Sequence, residues 1–532
     1  MTETIYLNGI AVAPHHLAAK SAKNVLQEGG NAIEAMVAAA ACIAAVYPHM
    51  TSIGGDAFWL IHEPGKMPLC IDACGAAALL ASIDFYREQG LGAIPVRGPL
   101  AANTVAGTIS GWKRALVHSS TTWGGKLPLA RLLADAIRHA RDGIEVTLSQ
   151  HTGTATKLDE LKAVPGFTYA FLKAGLVPQT GERFVLPRLA ATLERLAHAG
   201  LDDFYRGDIA NSLARDLERI GSPIRADDLA RHEALMKTPL ALKHSRADLF
   251  NMTPPTQGVV SLAILGILDK LGLSDARPDS ADYVHLCVEA TKQAFLHIRD
   301  RFVTDPAYMT VDAQSLLSSA LIAEMAARVD RTRAAPWGAA THAGDTVWMG
   351  VIDNAGRAVS FIQSIYHEFG SGVVLTESGV NWQNRGTCFS LDPGHINALS
   401  PGKKPFHTLN PALALFRDGR VMPYGTMGGD GQPQTQCAVF TRVALHNRHP
   451  QEAISAPRWL LGRTWGKPSD TLKLEHRFPQ EVFDDLKARG HDIEWIGAMD
   501  EAVGHAGALI RNADGTLVGG YDPRSDGAVA GF

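Results

Sequence analysis

Residues 344–364 read GDTVWMGVIDNAGRAVSFIQS, and this stretch decides the fold of the last third of the chain. Residues 346–353 and 357–366 are rich in β-branched and aromatic residues, and a turn sequence, DNAG, joins them. The pattern predicts a β-hairpin closed at Gly356 whose first strand begins at Thr346. Residues 330–345, DRTRAAPWGAATHAGD, are polar and small, which predicts an exposed and mobile connection before that strand.

A threonine that begins a strand directly after Gly344-Asp345 can become an N-terminal residue if its hydroxyl attacks the preceding carbonyl. The freed α-amine has an ordinary pKa of about 7.7, so it can serve as the general base for the same hydroxyl. We therefore predict self-cleavage between Asp345 and Thr346, giving a large fragment, residues 1–345, and a small one, residues 346–532. The tripeptide alone leaves open that Thr346 is an ordinary strand residue.

Helical patterns dominate the chain up to residue 345, and the remainder is mixed α/β. Residues 21–46 predict two helices separated at Gly29-Gly30, the second capped by Asn31 and continuing as a buried, alanine-rich segment. Apolar spacing predicts further helices over residues 127–142, 189–199, 282–303 and 313–329. Strands are predicted over 410–425, followed by the glycine turn TMGGDG, and over 507–520.

Composition argues against several classes of partner. The formal charge is -4 over 532 residues without a basic stripe, which disfavours nucleic acid and membrane surfaces and favours a small-molecule substrate. The N-terminus lacks a signal-peptide pattern, so we expect a cytoplasmic protein. The six cysteines are too sparse for a disulfide framework, and we expect reduced thiols. No histidine has metal-ligand spacing, including His15-His16, His49 and His367-Glu368, so we predict neither metal nor cofactor.

Further motifs lie in a specific order along nearly the whole chain. They are residues 12–58 (VAPHHLAAKSAKNVLQEGGNAIEAMVAAAACIAAVYPHMTSIGGDAF), 101–112 (AANTVAGTISGW), 344–364, 369–374 (FGSGVV) and 519–527 (GGYDPRSDG). On these motifs the chain resembles the γ-glutamyltransferase family of N-terminal nucleophile hydrolases. The resemblance implies an α/β fold, the αββα sandwich, and it adds weight to Thr346 as nucleophile.

The resemblance also implies roles for other residues. Ser364 matches the hydroxyl that orients the nucleophile's amine, and Gly428-Gly429 match the paired glycines whose N–H groups form the oxyanion hole. A pair of glycines is by itself more often a simple turn. The family further implies that the two fragments stay associated and that two such pairs assemble.

The sequence departs from the transpeptidases of the family at the substrate pocket. Cys74 and Cys388 match the arginine and the aspartate that hold the γ-glutamyl head, so charge-assisted contacts worth about 1.5–3 kcal/mol each are missing. Arg385 matches a glutamine, and His407-Thr408 match twin serines. These three residues could bind a carboxylate and a neighbouring carbonyl oxygen. A surface or structural ion pair remains the alternative for Arg385, and a structural role the alternative for His407.

The pattern NRGTCFSLDPGHINALSPGKKPFHTLNP, residues 384–411, resembles the hydrolase branch of the family and implies a small anionic amide as substrate. Our specific expectation is oxamate, hydrolysed to oxalate and ammonia. One alternative is a γ-glutamyl hydrolase or transferase acting on glutathione-like donors, or an acylase for larger amides. A second is an uncleaved binding protein that keeps the fold without catalysis.

Overall fold

The predicted hairpin is present in the computed structural model, which describes residues 4–338, 344–463 and 469–532. Strands Asp345–Asp353 and Ala358–Tyr366 pair antiparallel, from Ala358 opposite Ile352 to Tyr366 opposite Asp345. The turn between them places Gly356 at φ +76°, a backbone conformation that favours glycine. The strand Asp345–Asp353 begins one residue before Thr346, where the sequence predicted its start.

Two large sheets contain most of the strands that the described residues form. One has seven strands in the order Ala528–Gly531, Gly9–Ala13, Asp345–Asp353, Ala358–Tyr366, Asp56–His62, Leu69–Ala73 and Leu235–Lys237. The other has six, in the order Leu517–Tyr521, Ala506–Arg511, Val421–Thr426, Ala412–Phe416, Ala247–Asn251 and Leu240–Lys243. Smaller sheets are formed by Trp459–Leu461, Leu472–Glu475 and Ile493–Ile496, and by Ile144–Glu145 with Arg183–Phe184.

The strand Asp345–Asp353 shows how the layers stack. Val347, Met349 and Val351 face a core shared with the helix Ala32–Val46. On the other face of the strand, Trp348 packs in a second core with Leu413 and Leu509 of the six-stranded sheet. A third core lies beyond that sheet, against the helices Gly258–Leu271 and Gly431–Ala444. The order is helices, sheet, sheet, helices, which confirms the predicted αββα sandwich.

The helices in the described residues are His16–Gln27, Ala32–Val46, Ile83–Arg87, Thr108–His118, Leu129–Asp142, Leu148–Leu161, Phe167–Phe171, Pro187–Ala199, Asp203–Arg206, Asp208–Arg219, Ala226–Arg231, Gly258–Leu271, Ala281–Ala294, Asp300–Phe302, Ser319–Ala327, Gly431–Ala444, Pro450–Ser455 and Gln480–Ala488. The alanine-rich prediction is confirmed, since every residue of Ala32–Val46 is buried. Asn31 caps this helix by accepting from the N–H groups of Ile33 and Glu34, and the Glu34 carboxylate accepts from the Asn31 N–H.

Two predicted helices are wrong in their continuity. The helix predicted over 282–303 ends at Ala294 and passes through a wider turn, Phe295–Arg299, before one last turn. The helix predicted over 313–329 is a tight turn, Ala313–Leu317, followed by Ser319–Ala327, with extended backbone at Ser318. Apolar residues three or four apart satisfy all of these helical forms, so spacing alone does not separate them.

The connection before Thr346 is only partly as predicted. Arg331 and Thr332 are exposed and irregular, but Ala335 is held at both backbone groups: its N–H donates to Glu289 and its carbonyl accepts from Lys292. Residues 339–343 of the predicted mobile connection lie outside the described part of the chain.

All six cysteines are free thiols, as expected. Among the described residues, the helices are too short or too polar to cross a membrane.

Candidate active site

Three neighbouring strands bring Thr346, Ser364 and Asp56 to one end of the seven-stranded sheet. Gln363 pairs with Val347, but the next pair joins Tyr366 to Asp345, so Ser364 and Ile365 together lie opposite Thr346. This is a β-bulge, a feature that redirects side chains near functional sites. Ser364 is in turn paired with Asp56 in the adjoining strand. Its Oγ accepts from the Tyr366 N–H at 2.7 Å, which stabilises the bulge.

Thr346 and Trp348 lie two positions apart on one strand and therefore point to the same face, towards the six-stranded sheet. The Trp348 ring leaves no room for a side chain at Gly425 or Gly507, where an added Cβ would lie 2.3 Å and 2.5 Å from ring atoms. This close approach holds the strand Asp345–Asp353 against the strand Val421–Thr426. The glycine turn that follows Thr426 is thereby held near the sheet end that carries Thr346.

The glycine turn at residues 428 and 429 has a positive-φ backbone at both positions. Gly428 and Gly429 have φ values of +120° and +49°, which favour glycine. The Gln257 side chain donates to the carbonyl of Gly429 at 2.9 Å and to that of Thr408 at 3.0 Å. Gln257, which sequence analysis did not identify, therefore ties the glycine turn to the segment that carries His407 and Thr408.

Arg385 is fully buried, with 0% of its surface exposed. Its Nη1 donates to Thr408 Oγ1 at 3.1 Å, and its guanidinium stacks on the Tyr366 ring at 3.9 Å. Nε and Nη2 have no hydrogen-bond partner among the described residues, and no ion pair with a described carboxylate forms. The alternative of a surface ion pair is wrong, and the site contains a desolvated cation with free donors.

This cation lies beside the predicted cleavage site. A Cβ added to Gly344 would lie 2.9 Å from the Tyr366 ring and 3.6 Å from Thr408 Oγ1. Gly344 therefore packs on the two residues that contact Arg385. Thr346 itself is also fully buried in the uncleaved chain.

His407 hydrogen-bonds through Nε2 to Asp56 Oδ2 at 3.0 Å, and both side chains are fully buried. Burial, the Arg385 guanidinium and Lys404 lower the pKa of His407 well below its usual value, so the imidazole is neutral. Burial raises the pKa of Asp56 to about 7, although hydrogen bonds from Gly75, Gln383 and Gly107 act to lower it. The contact is therefore a hydrogen bond to a neutral histidine, although its distance would also suit an ion pair.

Both cysteines that replace charged residues border the site. Cys74 Sγ lies within 4.8 Å of ligand atoms of Asp56 and His407. Burial raises the pKa of Cys74 well above its usual value, and burial raises that of Cys388, which lies beside Tyr366 and Arg385. Neutral thiols at both positions cannot replace the lost charges.

The structure thus brings all seven predicted site residues to one end of the sandwich. Sequence analysis missed Asp56, because residues 51–58, TSIGGDAF, entered it only as the end of a longer family motif. The signal that could have found it is an aspartate at the start of an otherwise apolar strand, since a buried carboxylate needs dedicated partners. Another cluster was not indicated by sequence spacing. It consists of His285, Glu289 and His491, whose potential metal-ligand atoms lie within 4.8 Å of one another.

Residues 18–532 match the model of the family described as gamma-glutamyltranspeptidase, and the chain belongs to that family of N-terminal nucleophile hydrolases. It is accordingly an enzyme that acts on amides.

Relatives of the chain include both hydrolases and acylases. It is 57% identical over 531 residues to the oxamate amidohydrolase proenzyme of Klebsiella pneumoniae subsp. pneumoniae, covering 100% of both chains. It is 39% identical over 524 residues to the glutathione hydrolase-like YwrD proenzyme of Bacillus subtilis, covering 98% of both. The crystal structure of cephalosporin acylase from Bacillus halodurans superimposes with a TM-score of 0.90 at 31% identity, covering 100% of this chain and 97% of that one.

Proposed function

We propose that this protein is a self-cleaving amidohydrolase that uses Thr346 as its N-terminal nucleophile and hydrolyses oxamate to oxalate and ammonia. The observation that carries the proposal is the buried Arg385 guanidinium, with two nitrogens that lack a partner among the described residues. A desolvated cation of this kind is stabilised by an anionic ligand. The 57% identity to an oxamate amidohydrolase proenzyme supports the same substrate.

The first step creates the catalyst. Thr346 Oγ attacks the carbonyl carbon of Asp345, and the peptide nitrogen leaves that carbon, so the chain is joined through an ester. The departing nitrogen takes up the hydroxyl proton and becomes the free α-amine of Thr346. Water then hydrolyses the ester, which frees the Asp345 carboxyl group and restores the Thr346 hydroxyl. The large fragment, residues 1–345, and the small fragment, residues 346–532, are the products.

The second step hydrolyses the substrate. Thr346 Oγ attacks the amide carbon while its α-amine accepts the hydroxyl proton. The N–H groups of Gly428 and Gly429 stabilise the oxyanion, and the α-amine passes the proton to the departing nitrogen, which leaves as ammonia. Water hydrolyses the resulting ester and releases oxalate. Ser364, opposite Thr346 across the bulge, orients the α-amine.

Arg385 and Thr408 select the substrate in this scheme. In oxamate the carboxylate carbon is bonded directly to the amide carbon, so the anionic group and the reacting carbon are one bond apart. Arg385 donates to Thr408, and Thr408 lies against Gly344, two residues before the proposed nucleophile. A carboxylate bound by the guanidinium fork would therefore hold the amide carbon close to Thr346 Oγ. The neutral Cys74 and Cys388 offer no charges for an amino-acid head.

The sheet order explains why the fragments would remain together. Strand Gly9–Ala13 of the large fragment lies between strand Ala528–Gly531 and strand Asp345–Asp353, which belong to the small fragment apart from Asp345. Backbone hydrogen bonds on both sides of that strand persist after one peptide bond is cut. We propose that the associated pair dimerises, as the family resemblance implies.

A denaturing gel with an ammonia assay tests the proposal. We expect the purified chain of 56.9 kDa to give two fragments, the smaller beginning at Thr346, and to release ammonia from oxamate. Thr346→Ala should remain a single chain and be inactive, whereas Thr346→Ser keeps a hydroxyl and should still be cleaved. An uncleaved, inactive wild type would instead favour a binding protein.

The same assay should include glutathione and a larger acyl amide. Cleavage with turnover of glutathione alone would keep Thr346 as nucleophile and overturn the role given to Arg385. Turnover of the acyl amide alone would favour an acylase, an activity named for the Bacillus halodurans structure.

A further inference from the structure

We infer that Asp56 is a positioning residue that holds His407 in one tautomer, leaving Nδ1 to accept a hydrogen bond from the N–H of the substrate amide. This inference rests on the proposed function and deepens it. In this role, Asp56 and His407 make the enzyme prefer an amide to an ester. The contact between Arg385 and the substrate carboxylate does not distinguish the two.

Asp56 has a complete set of partners that fixes its orientation. Oδ1 accepts from the N–H groups of Gly75 at 3.0 Å and Gly107 at 3.1 Å, and from the Gln383 side chain at 3.1 Å. Three donors converge on this oxygen, so Oδ2 is left to face His407. The carboxylate cannot rotate without losing those three bonds.

His407 is equally constrained. Its backbone N–H donates to the carbonyl of Pro255 at 2.9 Å, and its own carbonyl accepts from the Gln257 N–H at 3.0 Å. Its ring packs edge-on against Phe58 with centroids 4.7 Å apart. The imidazole therefore has one orientation, with Nε2 on Asp56.

The acceptor at Asp56 determines the tautomer of the imidazole. A neutral histidine carries one proton, and an ionised Asp56 can only accept, so that proton is on Nε2. Nδ1 is then a lone-pair acceptor. It is buried and has no hydrogen-bond partner among the described residues.

An amide substrate satisfies that acceptor and an ester does not. Arg385 hydrogen-bonds to Thr408, the residue that follows His407. When Arg385 holds the substrate carboxylate, one N–H of the substrate amide can therefore donate to His407 Nδ1. The hydrogen bond also orients the nitrogen, so that its lone pair faces the Thr346 α-amine that delivers the proton. An ester oxygen has no hydrogen to donate, and it leaves Nδ1 unsatisfied.

Asp56→Asn tests the inference because the two side chains have the same shape. The asparagine oxygen can keep the three donors from Gly75, Gly107 and Gln383, which turns its NH₂ group towards His407. That group donates to Nε2, so the His407 proton should move to Nδ1. Two-bond ¹H–¹⁵N spectra of the full-length protein, recorded well above the Asp56 pKa of about 7, distinguish the tautomers, with the His407 signals assigned by comparison with His407→Ala.

Kinetics on an amide and an ester of the same acid provide a second readout. For Asp56→Asn we expect kcat/KM to fall about a hundredfold with oxamate and less than about threefold with monomethyl oxalate. His407→Ala should show the same selective loss, and the double variant should be no worse than His407→Ala alone, because Asp56 acts through His407. Asp353→Asn is the matched control: Asp353 is a buried acid that accepts from the Ala32 N–H, at the far end of the Thr346 strand.

An unchanged His407 tautomer in Asp56→Asn, or equal losses with amide and ester, would overturn the inference. His407→Ala tests the same selectivity if Asp56→Asn does not fold. A wild type that releases no ammonia from oxamate would overturn the proposed function instead, and the spectra would still decide whether Asp56 sets the tautomer.

Discussion

The Arg385 guanidinium stacks 3.9 Å from the centre of the Tyr366 ring, inside the protein and without a carboxylate partner among the described residues. Tyr366 is itself unusual, because its φ of +84° is rarely adopted by residues with a side chain. The bulge opposite Thr346 ends at Tyr366. The bulge opposite Thr346, the proposed nucleophile, thus also positions the ring that supports the Arg385 cation.

Arg385→Met should remove the preference for an anionic substrate. Methionine approximates the length of the side chain without charge, so the contacts to carboxylate worth about 1.5–3 kcal/mol disappear. We expect kcat/KM for oxamate to fall about ten- to a hundredfold, while turnover of the neutral diamide oxamide changes little. Parallel ammonia assays on the two substrates measure this, and equal losses on both would contradict an anion-binding role.

Gly344→Ala should slow self-cleavage without lowering the activity of chains that have already been cut. The added Cβ would lie 2.9 Å from the Tyr366 ring, so the ring or the scissile segment must shift. Gly338→Ala is the control, because its Cβ would meet nothing within 4 Å. A time course of fragment appearance on denaturing gels compares the two. Identical rates would show that the packing of Gly344 on Tyr366 is unimportant for cleavage.

Activity should rise as the pH increases through about 7. Asp56, whose pKa burial raises to about 7, must lose its proton before His407 Nδ1 becomes an acceptor. The Thr346 α-amine, with an ordinary pKa of about 7.7, must also be deprotonated. Three groups that interact with Asp56 do not titrate there, because burial raises the pKa values of Cys74 and Tyr205 and lowers that of His407.

Profiles of kcat/KM between pH 5 and 9 test this. Below the pKa values of Asp56 and the Thr346 α-amine, the logarithm of kcat/KM should rise with pH at a slope near two in the wild type. In Asp56→Asn, where only the amine titrates, the slope should be near one. The same slope in both proteins would remove Asp56 from the catalytic titration.

Lys292→Met should destabilise the uncleaved chain. Lys292 and Glu289 form an ion pair at 2.7 Å with side chains 3% and 1% exposed, and both hold Ala335. Loss of the cation leaves a buried carboxylate uncompensated, which costs about 3–5 kcal/mol. Urea denaturation in a Thr346→Ala background should show a lower midpoint.

Lys173→Met is the control for that measurement. Lys173 pairs with Glu182 at 3.1 Å on the surface, with 60% of its side chain exposed, so its loss should change stability by less than about 1 kcal/mol. Equal midpoints for the two variants would argue that the buried pair does not stabilise the segment before the cleavage site.

Local pattern was sufficient for several of the elements, and it placed Thr346, the proposed nucleophile, at the start of a strand. The hairpin, the helix Ala32–Val46 and the turn at Gly428-Gly429 each follow from residues close together in the chain. Strand alternation, helix caps and positive-φ glycines are short-range effects, which is why residues 344–364 predicted the hairpin and placed Thr346 at its start. Resemblance to a family added Ser364 and the glycine pair.

Tertiary structure alone decided the environment of those residues. Asp56 and His407 are 351 positions apart, and nothing in their local sequence indicates that they share a hydrogen bond. Burial of Arg385 without a carboxylate, and its stacking on Tyr366, depend on strands and loops that meet only when the two sheets pack together. The charges, tautomers and pKa values of the site follow from that desolvation, and desolvation is a property of the folded protein rather than of any segment of the chain.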